Sequence, residues 1–331
     1  MIRTVTANPS LDRSVELAAP LVAGGVHRIV ADSTQVGGKG VNVARALALA
    51  GVETEALVPV GPEDQYLRLL VGTGIRHRAV PVAGAVRTNL TVLSPTASGT
   101  SVTTKLNEPG SAITAAELRS VEQELLEATT SGGTVMLSGS LAPGFPVDWY
   151  AGIVRALHER NAWVGVDTSD VPLTALGAAW REDRSAAPDL LTPNALELAQ
   201  LTGQDAGTLD ALEAAPGDLG PAELAPVARA TQDLRAQGVA EVLVTLGGAG
   251  AVLADARGTW YCEADTPSVV STVGAGDCAA AGYLLARSLG EDGPQALARA
   301  VAYGSAAVAL PGTTIPRPDQ VHVRPGAVRS L

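Results

Sequence analysis

The chain has 331 residues, 46% hydrophobic and 17% charged, which is enough apolar material for one large α/β domain or two small ones in a soluble protein. Its 23 basic and 34 acidic residues give a net charge of −11, which argues against general affinity for nucleic acid or an anionic membrane and still permits a basic pocket within an acidic surface. Two cysteines, Cys262 and Cys278, at a spacing that supports neither a zinc site nor a disulfide framework, no apolar run long enough to span a bilayer and no signal-peptide pattern in MIRTVTANPSLD place the expected setting in the reducing cytoplasm.

Residues 2–7, IRTVTA, predict a strand, and NPSLD at 8–12 predicts its end, with Asp12 just beyond. Ligands of α/β sheets collect past the carboxyl ends of strands. Asp12 therefore either accepts hydrogen bonds from substrate hydroxyls or closes an Asx-turn. Residues 15–35 read as short extended pieces that include Arg28. GGKGVNVARALALAG at 37–51 then sets Gly37, Gly38 and Gly40 around Lys39 at the start of a helix that Gly51 stops. A lysine on a glycine turn at a helix start is a phosphate grip, with Asn42 in the first turn at the same mouth. The spacing is not that of a Walker A loop.

A strand is expected at 55–61 and a helix at 64–74. Between 86 and 106, VRTNLTVL, a polar turn SPTASG and TSVTTKL predict a β-hairpin, which ends in Arg87, Asn89, Lys105, Asn107 and Glu108. An isolated hairpin is marginal in water, so it is expected to pair with 15–35 as a small accessory sheet, a lid or a dimer contact. A helix from about 114 to 130 leads to a strand at 134–140 containing Ser138; a helix at 147–160 leads to a strand at 163–169 that ends in the polar DTS. LLTPN at 190–194 repeats that pattern before a helix. Asn194 and Glu197, three apart, form either a capping box or a handhold for a hydrated Mg2+. Residues 203–226 mix Gly, Pro and acids and read as a loosely ordered surface insertion. A helix at 226–238 is followed by strand, GG turn and strand over 241–255, where Thr245, Gly247 and Gly250 leave room for a nucleotide.

STVGAGDCAAAGYLL at 271–285 brackets Ala275 between Gly274 and Gly276, puts Asp277 next, and continues as a helix. Unpaired amides at such a start make an anion hole. The dipole holds the Asp277 carboxylate ionised there, so it is either an N-terminal cap or a base that takes a proton from an attacking hydroxyl. A last helix at about 294–309 and a Pro-rich tail close a chain whose alternating strands and helices predict an α/β fold with a mostly parallel, covered sheet.

NPSLD, GGKGVNVARAL, LNEPG, SGS, DTS, PNxxEL, VTLGGAG and VVSTVGAGDC follow one order along nearly the whole chain. In this the sequence resembles the PfkB, or ribokinase-like, carbohydrate kinase family, and within it the hexose-phosphate kinase branch. The resemblance implies one kinase domain over 1–331: a central, mostly parallel β-sheet flanked by helices, with a small β-sheet lid from about 13–35 and 86–106 that pairs two copies. It implies ATP and Mg2+, and a ketohexose phosphate as acceptor. NEPG and the overall spacing favour fructose 1-phosphate over tagatose 6-phosphate, towards which NPSLD leans, and fructose 6-phosphate is a further alternative.

By the same resemblance Asp277 is the catalytic base and Gly274, Ala275 and Gly276 are the anion hole. Asn194 and Glu197 serve Mg2+ and nucleotide, and Thr245, Gly247 and Gly250 line the nucleotide side. Asp12, Gly38, Lys39 and Asn42 hold the sugar. Arg87, Asn107 and Ser138 stand near the phosphate it already carries, and Arg28 is a weaker candidate there. Two departures are visible: Thr192 stands where the branch commonly has lysine, and SAI follows NEPG. A non-catalytic sugar-phosphate sensor is disfavoured because base and glycines are intact. A plain nucleoside or ribose kinase has no use for the phosphate-type cations Lys39 and Arg87. A dinucleotide-binding oxidoreductase needs a GxGxxG after the first strand that 7–12 does not offer.

Overall fold

The structure, a computed structural model, describes residues 1–96, 101–214, 219–265 and 268–331. The chain begins β1 (Ile2–Thr6), β2 (Ser10–Leu17), β3 (Ile29–Gly37), α1 (Lys39–Leu49), β4 (Thr54–Pro59), α2 (Gln65–Gly72) and β5 (His77–Val80). It continues with β6 (Arg87–Pro95), β7 (Ser101–Asn107), α3 (Ala115–Ala128), β8 (Thr134–Ser138), α4 (Trp149–His158), β9 (Trp163–Asp167), α5 (Asp170–Glu182), β10 (Leu190–Leu191) and α6 (Ala195–Thr202). It ends with α7 (Ala206–Ala214), α8 (Pro221–Ala236), β11 (Glu241–Thr245), β12 (Ala251–Ala254), β13 (Thr259–Cys262), α9 (Ala275–Ser288), α10 (Gly293–Val308) and β14 (Val328–Ser330).

Ten of these strands form one sheet in the order β14-β13-β12-β11-β10-β9-β8-β1-β4-β5. It is parallel from β11 to β5 and antiparallel from β11 out to β14. β1 and β4 are buried along their whole length, as parallel strands covered on both faces must be. Even Arg3 of β1 is buried, neutralised by its register partner Glu55, whose Oε2 accepts from Nε at 3.1 Å and Nη2 at 3.0 Å. The chain moves from β1 to β4 and β5 on one side and then returns through β8, β9 and β10 on the other. The strand order therefore reverses beside β1, and a crevice opens past the carboxyl ends of β1, β8 and β9. With aromatics at only 3%, small residues bring α9 and α10 together: a Cβ on Gly282 would lie 2.7 Å from the Arg299 carbonyl oxygen.

A second sheet, β3-β2-β6-β7, is built from the segments expected to make the accessory sheet. The polar turn expected at 94–99 lies partly outside the described residues, at 97–99. In register, Asp12 faces Gln35 and Asn89, and Asn89 faces Asn107, so one face is polar. The other carries Val15, Val92, Leu90 and Leu106.

Two expectations change, and one helix is new. The first strand does end before NPSLD, at Thr6, with a bend at Ala7 and Asn8, but Asp12 does not close a turn: it is the third residue of β2, whose alternating SLDRSVEL suits a sheet with one polar face. Residues 203–226 are largely helical, since α7 and the start of α8 fall within them and only 215–218 lie outside the described residues. Pro221 sits at the start of α8, where its missing N–H costs nothing, and Leu209, Leu212, Leu224 and Val227 are buried. Helix α5 was not anticipated, although Leu173, Leu176 and Trp180 carry a helical period and are fully buried. Among the described residues no helix is long and apolar enough to cross a membrane.

Candidate active site

The site forms where the first turns of α1 and α9 meet over the end of β1. Glycine makes the approach of α1 possible: a Cβ on Gly40 would lie 2.5 Å from the Val5 carbonyl oxygen, and one on Gly37 would overlap the Asp12 carboxylate. The Thr6 hydroxyl accepts from the Val41 amide at 3.0 Å and fixes the helix start. Gly274, with φ +80°, turns the chain into α9, and the amides of its first turn have no intrahelical partner. Asn42 then donates from Nδ2 to Asp277 Oδ2 at 2.8 Å, which joins residues 235 apart in sequence inside the protein.

Four ionisable groups share this crevice. Lys39 Nζ is 2.7 Å from Asp167 Oδ1 and is also attracted by Asp277 and Glu197. Burial works to lower its pKa, but those three carboxylates raise it above the ordinary lysine value. The helix dipole does not keep Asp277 an ordinary ionised carboxylate as expected: burial pushes it up to about 7; Lys39 and the Asn42 hydrogen bond oppose this, and the negative charge of Asp167 adds to it. Burial likewise raises Glu197 to about 7, with Asp167 reinforcing and Lys39 opposing. A lysine among acids that repel one another marks a place where charge is to be moved or neutralised.

On one side stands the small sheet's polar face. Asp12 accepts from Ser10 Oγ at 2.9 Å and from Asn89 Nδ2 at 3.2 Å, and burial raises its pKa against the pull of those bonds and of Arg87 and Arg45. Arg87 donates to the Glu108 carbonyl oxygen at 3.1 Å and to Ser140 Oγ at 3.4 Å, while its buried Nε has no partner. On the other side a cavity of about 390 Å3 is bounded by Thr245, Gly247, Gly250, Ala275 and Gly276, with Glu213, Val301 and Val308. Gly250 has φ +114° and a Cβ there would overlap the Cys262 carbonyl oxygen. Asn194 and Glu197 do form a capping box, at 2.8 and 2.9 Å, so the structural reading of that pair holds. Glu197 Oε2 accepts the Asn194 amide, which leaves Oε1 for a cation.

The structure thus brings Gly38, Lys39, Asn42, Asp277 and the 274–276 turn together, with Asp12 beside Gly37. Ser138 is the register partner of Asp167, and Arg87 donates to Ser140. Asn107 is exposed at the edge of the small sheet, and Arg28 is exposed just before β3. Asp167 was missed as a site residue, although DTS at a buried strand end carried the signal. Asn89 was read only as a polar group at the hairpin's end, and Ser140 only as part of SGS, without a role.

The profile described as pfkB family carbohydrate kinase matches residues 6–320. The 1-phosphofructokinase of Rhodobacter capsulatus is 34% identical over 97% of this chain and 94% of its own. The ATP-dependent 6-phosphofructokinase isozyme 2 of Mycobacterium tuberculosis is 30% identical over 97% and 87%. Among solved structures, phosphofructokinase-2 from Escherichia coli in complex with substrates and products superposes with a TM-score of 0.83 at 28% identity, covering 96% of both chains. Arabidopsis thaliana ribokinase, at 20% identity and a TM-score of 0.68 over 96% of both chains, shares the fold.

Proposed function

From the premise that this chain belongs to the pfkB family of carbohydrate kinases, we propose that it transfers the γ-phosphoryl group of ATP to a primary hydroxyl of a fructose phosphate, with fructose 1-phosphate as the preferred acceptor. The observation that carries the mechanism is the Asn42–Asp277 hydrogen bond, which sets a carboxylate between the sugar-facing and nucleotide-facing halves of one crevice. In this reading Asp277 accepts the proton of the attacking hydroxyl. The oxygen forms a new bond to the γ-phosphorus while the bond to the leaving ADP oxygen breaks. Positioned general-base help of this kind is worth about 10²–10⁴ in rate.

The amides at the start of α9, in place before the reaction, stabilise the charge spread over the phosphoryl oxygens, and the Lys39 ammonium adds to them. Asp12 and Asn42 orient the sugar. Arg87, with an unpaired buried Nε, neutralises the phosphate the sugar already carries. Glu197 Oε1 and the Asn194 side of the capping box fit a hydrated Mg2+, which prefers one or two protein oxygens and keeps its waters. Such an ion would offset the nucleotide's phosphate charge. The cavity beside Gly247 and Gly250 takes the nucleoside. Two copies pair through the apolar face of the small sheet, where Leu106 is 57% and Val102 49% exposed.

Fructose 6-phosphate is the second reading, favoured by the Mycobacterium relative's name. A coupled ADP-release assay decides, run with fructose 1-phosphate, fructose 6-phosphate, tagatose 6-phosphate and free fructose, with Mg2+ and with chelator. The highest kcat/KM is expected for fructose 1-phosphate with Mg2+. Free fructose matching the phosphates would sink the phosphosugar assignment.

A further inference from the structure

At the ends of three adjacent strands lies a row of oxygen side chains. Ser138 of β8 and Asp167 of β9 are register partners, and the pairing of Leu191 with Val166 puts Thr192 beside Asp167 on the next strand. Register partners in a sheet share a face. Thr6, the partner of Ser138 on β1, identifies that face, since its hydroxyl receives the Val41 amide of α1. The row therefore looks towards α1, whose first residue, Lys39, reaches down to Asp167. The hydroxyls of Ser138 and Thr192 are both buried and both without a hydrogen-bond partner. A buried, unsatisfied hydroxyl is uncommon. Two of them on either side of one buried carboxylate call for a second state in which they are used.

The cation points the same way. The chain has only two lysines, Lys39 and Lys105, beside 21 arginines. Arginine is a planar fork suited to one fixed partner, whereas lysine is a compact charge on a flexible stem that can turn between partners. Lys39 keeps 39% of its side chain exposed at the crevice while Asp167 keeps 5%, so the lysine's flexible stem has open space beside it and the carboxylate does not. Asp277 and Glu197 also attract Lys39, so Asp167 is not its only charged neighbour.

We infer that Lys39 is a two-position cation: it rests on Asp167 in the empty crevice and turns to the phosphoryl oxygens when both substrates are bound, while the Ser138 and Thr192 hydroxyls rotate onto Asp167 in its place. Neighbouring strands lie about 4.8 Å apart, so each hydroxyl reaches the carboxylate by side-chain rotation alone. Without them, release of Lys39 would strand a buried charge, and the lysine would stay where it is. Thr192 is thus a positioning residue that acts through Asp167 and Lys39. The inference rests on the phosphoryl-transfer reading above.

The test is a double-mutant cycle with a spectroscopic control. Thr192→Val keeps the shape and removes the hydroxyl. It should lower kcat about tenfold, the weight of one hydrogen bond to a charged group, and change the KM for the sugar phosphate less than about twofold. Thr192→Ser should recover most of the loss. In a Lys39→Met background Thr192→Val should cost less than about twofold, because the ammonium it releases is gone. In 15N-lysine protein, with Lys105→Arg to assign the two signals, the Lys39 Nζ resonance should move when a non-hydrolysable ATP analogue, Mg2+ and fructose 1-phosphate are added together, and should stay put in Thr192→Val. Wild-type kcat in Thr192→Val, no recovery in Thr192→Ser, a full tenfold loss in the Lys39→Met background, or a motionless Lys39 resonance in an enzyme that turns over would each overturn the two-position lysine alone. A wild-type protein that releases no ADP with any sugar phosphate overturns the kinase reading, and this inference with it.

Discussion

Replacing Asp277 with Asn should slow the enzyme and stabilise its fold in the same step. Asp277 is 6% exposed, and burial raises its carboxyl from 3.8 to about 7 against the pull of Lys39 and Asn42. A carboxyl whose folded pKa lies above its unfolded value weakens the fold as pH rises through that window. The cost begins near pH 3.8 and is complete above about pH 7. At about 1.4 kcal/mol per pH unit, the ionised group opposes folding by at most about 4 kcal/mol at pH 8 and by less than about 2 kcal/mol at pH 5. Asparagine keeps the size and the polar contact with Asn42 without the charge. Urea unfolding should therefore show Asp277→Asn more stable than wild type at pH 8, with the gain shrinking at pH 5. Its turnover in the coupled assay should fall by about 10²–10⁴. Wild-type turnover should itself decline as pH drops through about 7, as the base becomes protonated. Near-normal turnover in the variant, or a stability difference that does not change with pH, would refute the reasoning.

Arg87→Ala should raise the KM for the sugar phosphate by about 10- to 100-fold and alter kcat less, since in the proposed reading the guanidinium grips a group remote from the reacting hydroxyl; steady-state kinetics would show it. Gly250→Ala should lower the melting temperature and abolish nucleotide binding in calorimetry, because φ +114° and the Cys262 carbonyl oxygen leave no place for a Cβ. Leu106→Asp, on the exposed apolar face of the small sheet, should turn a dimer into a monomer in sedimentation while leaving the fold intact by circular dichroism.

The glycine turns at 37–40 and 274–276, the helices they open and the run of buried strands could be read from the sequence because each is a short-range pattern. A helix start needs only its glycine, its cap and an apolar period within a dozen residues. The same locality explains the misreadings. NPSLD resembles a stop, yet the residues after the proline pair with β3 and β6, partners that no local rule names. Residues 203–226 look like breaker-rich loop, yet proline at a helix start is tolerated and buried leucines hold α7 and α8 in place. Helix α5 shows that a periodic apolar face can pass unnoticed when neither end carries a glycine turn.

By itself, the amino-acid order determined the parts: an anion-binding helix start with a carboxylate in it, a lysine on a second glycine turn, and a polar hairpin. Which part touches which was decided by the tertiary structure alone. Lys39 meets Asp167 across 128 residues, and Asn42 meets Asp277 across 235, because the strand order reverses beside β1 and carries both helix starts to one edge of the sheet. Spacing along a chain holds no information about such distances; the packing of the sheet does.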